Sequence, residues 1–238
     1  MVINNLIETH CHILPEIDDG SKSVEMSLEM IKKLQLQGVK KIIATPHYYS
    51  DSISLSDFIE KRNASYGRLL GALPADSPEI ILGAEVYISR YLFGNDDLSD
   101  ICIGKTEYAL IEHPFSEDFS DRALDRLSCL ICDHKITPIL AHIERYRSLM
   151  ESTGTLDGLL DMGCLAQVNI SSFADSPRSV RKKLFKYLES GRINLIGSDC
   201  HNLSSRPPAY ADGAKEIIKK CGEEKLKELV NNANGIFS

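Results

Sequence analysis

No stretch of this 238-residue sequence approaches the roughly 18 consecutive apolar residues that span a bilayer. Membrane insertion is therefore not expected. The opening MVINNLIETHCH has no basic residue and no long apolar stretch, so no signal peptide is expected either. Positive charge is in deficit, with a formal net charge of −7, which argues against a nucleic-acid partner. The basic pairs Lys32-Lys33, Lys40-Lys41, Lys182-Lys183 and Lys219-Lys220 are scattered and read as solvated helix faces. The 7 cysteines are odd in number and irregular in spacing, which excludes an obvious disulfide framework and suits a reducing, cytoplasmic setting. No Gly-rich fingerprint follows the first apolar run, which disfavours a doubly wound nucleotide fold. Solenoid periods and low-complexity segments are also missing.

What is present is an ordinary globular balance, 43% hydrophobic and 26% charged, with short linkers throughout. A single domain over 1–238 is expected. Short apolar runs alternate with amphipathic stretches. Residues 2–7 and the following His-Cys-His form a first strand. Val24, Leu28, Ile31 and Leu34 recur at helical spacing within 23–37, and Gly38 ends that helix. Further strands fall at 40–45 (stopped by Pro46), 79–86, 107–112, 136–142, 164–170 and 194–198. Helices fall around Leu55–Leu70, Leu124–Ile131, 155–162, Val180–Leu188, and from about 210 onward. Seven strand–helix units with near-continuous apolar strands predict an α/β fold, a (β/α)7 relative of the TIM barrel.

The polar residues fall at telling places. His10 and His12 stand two apart at the end of the first strand, and Asp199 and His201 two apart at the end of the last. His47, Glu85, Glu112 and His142 follow or end the strands between, and Asp19 lies in the first loop. In a parallel barrel all these positions open on one face. Nine potential metal ligands would then share one bowl. A single histidine at a strand end is more often just a satisfied polar group. Four carboxylates together would repel unless cations stood among them. Mixed imidazole and carboxylate donors suit Mn, Fe or Zn better than Ca or Mg. The remaining histidines, His113 and His134, read as structural.

The segments HCHILPEIDDGSKS, ATPHYY, GAEV, IEHP, AHIERY, QVNISS and GSDCHN-x-x-x-R-P resemble the polymerase-and-histidinol-phosphatase (PHP) superfamily. Within it they look like the bacterial protein-tyrosine phosphatases of capsule and exopolysaccharide loci. The resemblance runs from about residue 6 to residue 208. It implies a distorted (β/α)7 barrel and three divalent ions, commonly manganese. By motif, His10, His12, Glu85 and Asp199 would hold one ion, Glu85, Glu112 and His142 a second, and Asp19, His47 and His201 a third. Arg145 and Arg206 match the family's phosphate-gripping arginines, suited to phosphate as planar forks. Metal-bound hydroxide would attack phosphorus, with Arg145, Arg206 and Asp199 as catalytic candidates and Tyr48 beside the arginines in substrate binding. The implied partner is a phosphotyrosine protein, a tyrosine kinase of polysaccharide export. Histidinol phosphate or another small phosphomonoester is the alternative substrate, and a metal-stabilised binding scaffold the non-enzyme alternative. Two positions differ among relatives. Glu8 stands where the family often has Asp, with an expected effect on ligand orientation. Asp19 stands where other branches carry His, which favours the tyrosine-phosphatase branch.

Two motifs compete with this reading. Cys200 and Arg206 have the C-x5-R spacing of thiol-based phosphatases, but HNLSS between them lacks the glycines of a phosphate cradle, and strand alternation turns Cys200 away from Asp199 and His201. Cys129 and Cys132 form a CxxC without a second pair, read as buried small residues on a helix. Tyr48, Tyr49 and Phe115 follow ligand positions and could stack on an aromatic substrate.

Overall fold

The structure, a computed structural model, describes residues 5–237; residues 2–4 of the expected first strand lie outside them. The chain opens with β1 (Leu6–Cys11) and α1 (Val24–Leu36). Ser23 starts α1 by accepting the Met26 N–H on its hydroxyl. Gly38, at φ +97, then turns the chain into β2 (Val39–Ala44). β3 (His47–Tyr49) and α2 (Leu55–Leu70) follow, then β4 (Glu79–Leu82), β5 (Glu85–Tyr87) and β6 (Tyr108–Glu112). Next come α3 (Asp121–Cys132), β7 (Thr137–Leu140), α4 (Arg147–Glu151), α5 (Thr153–Asp161) and β8 (Leu165–Asn169). The chain closes with α6 (Ser172–Asp175), α7 (Arg178–Glu189), β9 (Leu195–Gly197), α8 (Ala211–Cys221) and α9 (Glu223–Phe237). The single C-terminal helix expected from about 210 is thus two, parted at Gly222 with φ +85.

All strand pairs are parallel, in sheets ordered β1-β2-β4 and β3-β5-β6-β7-β8-β9. The expected strand 79–86 is split in two, and the strand expected at 40–45 resumes beyond its stop as a short further strand that was not expected. Pro46, which has no N–H to give, interrupts the strand that continues as β3. Gly83 and Ala84 interrupt β4/β5. Register survives both breaks: Ala44 lies opposite Leu82 and His47 opposite Glu85. Counting each split strand once leaves the seven expected positions. The last returns to the first through an isolated parallel pairing of the backbones at Cys11 and Cys200, both free thiols. There Thr9 Oγ1 donates to Ile196 O (2.9 Å), the Asp199 N–H to His10 O (2.7 Å) and the His12 N–H to Cys200 O (2.9 Å). The ring is a distorted (β/α)7 arrangement closed by isolated bonds rather than a continuous ladder.

One unit lacks its helix. Between β5 and β6 lie only the 3₁₀ turns Leu92–Gly94 and Ser99–Ile101. The buried guanidinium of Arg62 on α2 spans this region, donating to Gly83 O and Asp100 O, both at 3.0 Å. The main core lies between strands and helices. A second apolar cluster gathers Ile7, Ile43, Leu110, Ile139 and Leu195 from five strands, with Ala233 and Phe237 of α9 packed on it. Leu110 precedes Glu112 by two residues and Ile43 and Leu195 precede His47 and Asp199 by four. One face therefore carries apolar residues first and polar ones at its C-terminal end. In β1 the register shifts between Glu8 and Cys11, and this irregularity lets both Ile7 and His10 face the interior.

Candidate metal centre

All nine expected ligand positions meet at the C-terminal mouth of the strands. His10 Nε2 stands 3.2 Å from Glu85 Oε2 and 3.4 Å from Asp199 Oδ1. His12 Nε2 stands 3.2 Å from the same Glu85 oxygen, and His47 Nδ1 also 3.2 Å from it. His142 Nε2 lies 2.8 Å from Glu85 Oε1 and 3.6 Å from Glu112 Oε1. Asp19 Oδ1 lies 3.5 Å from His47 Nε2 and 3.3 Å from His201 Nε2. Three subsets have donor atoms within 4.8 Å of one another: His10, His12, Glu85 and Asp199; His12, Asp19, His47 and His201; and His47, Glu85 and Glu112. His142 takes its place beside the last of these through its two carboxylate contacts.

This geometry fits cations better than protons. One carboxylate oxygen of Glu85 faces three imidazole nitrogens at equal distance, more than a simple hydrogen-bond scheme arranges. His47 Nδ1 and His201 Nε2 are buried and make no hydrogen bond, although each faces a carboxylate oxygen close by. Nitrogen and oxygen lone pairs aimed at shared points are the disposition of ligands around a divalent ion. Burial pushes the Glu112 carboxyl up to about 7, and the neighbouring Glu85 charge adds to it. Burial works against ionised Asp199 too, but the His10 charge and a bond to His12 outweigh it and hold that carboxyl well below its usual range.

Local structure explains why these side chains converge. The 16–21 turn folds back on β1, with Ser21 N–H donating to His12 O (3.0 Å) and Glu16 N–H to Ser21 O (2.9 Å). Gly20 sits so close that a Cβ there would lie 2.4 Å from His12 O, so only glycine fits. His142 and Asp199 have φ of +34 and +54, uncommon for residues with a side chain. Such strain is characteristic of functional positions. It is held by backbone bonds: the His142 N–H donates to Gln167 Oε1 (2.7 Å), and the Asp199 N–H to His10 O.

Several further residues support the cluster without joining it. Asp18 accepts from His12 Nδ1 (2.8 Å), from the His47 N–H (3.0 Å) and from the Gly20 N–H (2.9 Å). Burial opposes its charge, but these bonds, that from His12 foremost, hold its carboxyl well below the usual range. Gln167 Oε1 also lies 3.4 Å from His10 Nδ1. Asn169 Nδ2 donates to Asp199 Oδ2 (2.9 Å). Glu8 joins the first and last strands, its Oε1 accepting the N–H groups of His10 (3.0 Å) and Ser198 (2.9 Å). Its influence on ligand orientation runs through the backbone. In the sequence, the signal for Gln167 and Asn169 was their i, i+2 spacing at a strand end.

The arginines stand at the rim. Arg206 is 38% exposed and donates from Nη2 to Asp199 Oδ1 (2.6 Å). Arg145 is 45% exposed, 3.8 Å from Asp199 Oδ2, with its guanidinium 4.4 Å above the Phe115 ring. Phe115 stacks on Tyr146 (5.2 Å) and His142 (5.6 Å). Across the mouth Tyr49 stacks on His47 (5.3 Å) and is 38% exposed.

Two expectations need correction. Tyr48 cannot bind substrate: alternation along β3 sends it to the side opposite His47 and Tyr49, where it is 1% exposed and stacks on Phe58 (4.7 Å). Cys129 and Cys132 are not buried core residues. Cys129 is half-buried and Cys132 exposed at the end of α3. Cys200, by contrast, is fully buried behind Asp199 and His201, as alternation requires of a residue between two that face the bowl. His113 and His134 stay out of the cluster. His113 stacks on Phe119 (4.2 Å) with Nε2 3.0 Å from Glu117 O, and His134 lies by Phe93. No helix among the described residues is long and apolar enough to cross a membrane.

Known proteins resemble this chain in sequence and in fold. A tyrosine-protein phosphatase CpsB of Streptococcus agalactiae serotype III is 31% identical over 242 residues, covering 98% of both chains. A tyrosine-protein phosphatase CpsB of Streptococcus pneumoniae is 33% identical over 240 residues, again covering 98% of both. Among solved structures, one from work on YwqE of Bacillus subtilis and CpsB of Streptococcus pneumoniae, described as metal-dependent tyrosine phosphatases, superposes with a TM-score of 0.83 at 27% identity. It covers 97% of this chain and 94% of that one. A phosphotriesterase homology protein from Escherichia coli, at 12% identity and a TM-score of 0.57, shares the fold alone. Residues 6–238 match the family described as "Capsular polysaccharide synthesis, CpsB/CapC", and to that family the chain belongs.

Proposed function

We propose that the protein is a metal-dependent protein-tyrosine phosphatase, acting on a phosphotyrosyl protein of polysaccharide export, a bacterial tyrosine kinase. The observation that carries this reading is the gathering of five imidazoles and four carboxylates at one mouth, with two arginines and two exposed aromatic rings at its rim. Three divalent ions, most simply manganese, are assigned to His10, His12, Glu85 and Asp199; to Glu85, Glu112 and His142; and to Asp19, His47 and His201. Bound there, such ions supply a water acidified toward neutral pH and positive charge for the phosphoryl oxygens.

The chain's own residues do the rest. Arg145 and Arg206 fork the non-bridging phosphoryl oxygens from the rim, where planar guanidinium geometry matches phosphate. Asp199 accepts from Arg206 and Asn169, so it serves as a fixed carboxylate and not as a proton donor. A tyrosine phenol leaves with a pKa near 10 and needs little general-acid help. Tyr49 and Phe115 form apolar walls for its ring. Asp18, Gln167 and Glu8 hold the ligands in place.

The test is a substrate panel with manganese-loaded protein: a phosphotyrosine peptide, a phosphoserine peptide and histidinol phosphate, before and after chelation. Preference for the phosphotyrosine peptide, abolished by chelator and restored by manganese, is expected. Preference for histidinol phosphate would move the assignment to a small-molecule phosphatase. Full activity after the ions are stripped would refute the metal mechanism.

A further inference from the structure

The loop that carries Arg206 has no strand or helix to hold its shape. It lies between β9 and α8, and the N–H groups of Ser204, Ser205 and Arg206 donate to no backbone carbonyl among the described residues. Glycine, which would let a backbone close tightly on itself, is missing from 201–208.

The three N–H groups converge instead on one side chain. Asn202 Oδ1 accepts from Ser204 N (2.9 Å), Ser205 N (2.8 Å) and Arg206 N (3.1 Å). Its Nδ2 donates to Ser205 Oγ (3.1 Å). An asparagine carbonyl that stands in for a backbone acceptor fixes a turn from within. Arg206 O closes the same turn from outside, accepting the N–H of His201 (2.9 Å) and of Asn202 (3.2 Å). Both backbone polar groups of Arg206 are thus tied to residues 201 and 202. Downstream, Pro207 disfavours helical backbone at Arg206, and Gln37 accepts the Tyr210 N–H (2.8 Å) while donating to Pro208 O (3.1 Å).

Little else restrains the arginine. Among the described residues its guanidinium pairs with Asp199 at 2.6 Å and with Asp19 at 4.0 Å. A phosphoryl group that takes the fork competes with those carboxylates for it. During that exchange the backbone is what keeps the fork at the mouth.

Resting on the phosphatase reading above, we infer that Asn202 is a positioning residue for phosphate capture: its carbonyl oxygen fixes the 202–206 turn and so aims the Arg206 fork at the phosphoryl group. Asn202 acts through Arg206 and not on the reacting atoms. Loss of its acceptor leaves the arginine present but unaimed, with its ordering deferred to the moment of binding.

The experiment uses metal-loaded wild type, Asn202→Ala, Asn202→Asp, Arg206→Ala and the Asn202→Ala, Arg206→Ala double variant. It reads kcat/KM for p-nitrophenyl phosphate, inhibition by inorganic phosphate, and bound metal. Asn202→Ala should lower kcat/KM about fivefold to tenfold, chiefly through KM, and weaken phosphate inhibition by a similar factor, with metal content unchanged. Asn202→Asp keeps an acceptor oxygen and should stay within about threefold of wild type. In the Arg206→Ala background, Asn202→Ala should cost less than about twofold, because the group it aims is gone. Should Asn202→Ala not fold, Asn202→Gln, which shifts the amide outward by one carbon, takes its place with the same expectations. Equal losses in both backgrounds, or a fall in bound metal, would show that the loop acts through His201 or the fold at large and would overturn the inference alone. Unchanged phosphate inhibition in Asn202→Ala, or an Asp variant no better than the Ala variant, would do the same. Absence of turnover by metal-loaded wild type would overturn the phosphatase reading and the inference with it.

Discussion

On the floor of the bowl, His10, His12, Glu85, His142, Asp199 and His201 are all buried, and their backbones are tied: His10, His12 and Asp199 across the β1–β9 seam, His142 to Gln167, Glu85 to Pro46 O and His201 to Arg206 O. At the rim, Asp19, at 65% exposure, and Arg145, Arg206, Tyr49 and Phe115 stand partly in water. Charge on the floor acts in a low dielectric, where it is strong and costly to misplace. Charge at the rim is screened, and its worth lies in geometry. Chemistry and recognition are thereby separated into a fixed layer and an adjustable one.

The largest expected effect tests the fixed layer. His142→Ala or Asp199→Ala should lower turnover of aryl phosphate on the order of 10³-fold, as loss of a metal-assisted step would. Bound metal, measured by elemental analysis, should fall below wild type while circular dichroism stays native. Retained metal with retained turnover in both variants would remove the distinction. Next comes the rim. Arg206→Ala should cost about 10²-fold in kcat/KM with metal content intact, and Arg206→Lys should recover little of it, because the ammonium lacks the fork. Full rescue by lysine would reduce Arg206 to a point charge.

A smaller effect separates the two arginines. Arg206 is anchored by a carboxylate, Arg145 by the face of Phe115. Phe115→Leu keeps apolar bulk but removes the ring, and should raise KM about threefold to fivefold; Phe115→Trp should restore it, as the better cation–π surface. Equal KM values for the leucine and tryptophan variants would show that bulk alone matters.

The smallest effect lies behind the floor. Burial pushes the Glu144 carboxyl up to about 7, although it accepts from the Asn169 N–H and the Ser172 hydroxyl. The folded state holds this proton more tightly than the unfolded chain does. Its contribution is therefore complete below the ordinary value of 4.5 and is lost as pH rises through 7. Glu144→Gln, neutral throughout, should gain on wild type by on the order of 1 kcal/mol between pH 5 and pH 8 in urea unfolding with chelator present. Parallel stability curves would contradict the raised value.

Much of the fixed layer was readable from sequence because strand alternation and strand ends are local patterns. The pairs His10/His12 and Asp199/His201 announce their common side through spacing alone. The rim was less readable. Pro46 stops one strand and hides the start of the next, so the phase that buries Tyr48 and exposes Tyr49 could not be counted. Asp18 and Asp19 are adjacent and chemically alike, and only the fold of the 16–21 turn sends one to support His12 and the other to the mouth. Gln167 and Asn169 are amides, without the signature of a ligand. The missing helix before β6 is replaced by turns held by Arg62, a tertiary contact that no periodicity reports.

The seam between β1 and β9 joins residues separated by 187 positions, as in the Thr9–Ile196 bond. His10 and His12 leave the ribosome early and Asp199 and His201 late. Contacts of such separation carry the largest loop-closure entropy and form late. A nascent chain thus spends nearly its whole synthesis with imidazoles but no finished cage. The act that completes the barrel is the act that brings Asp199 and His201 to the cluster, so an incomplete translation product lacks the assembled mouth that the proposed chemistry requires.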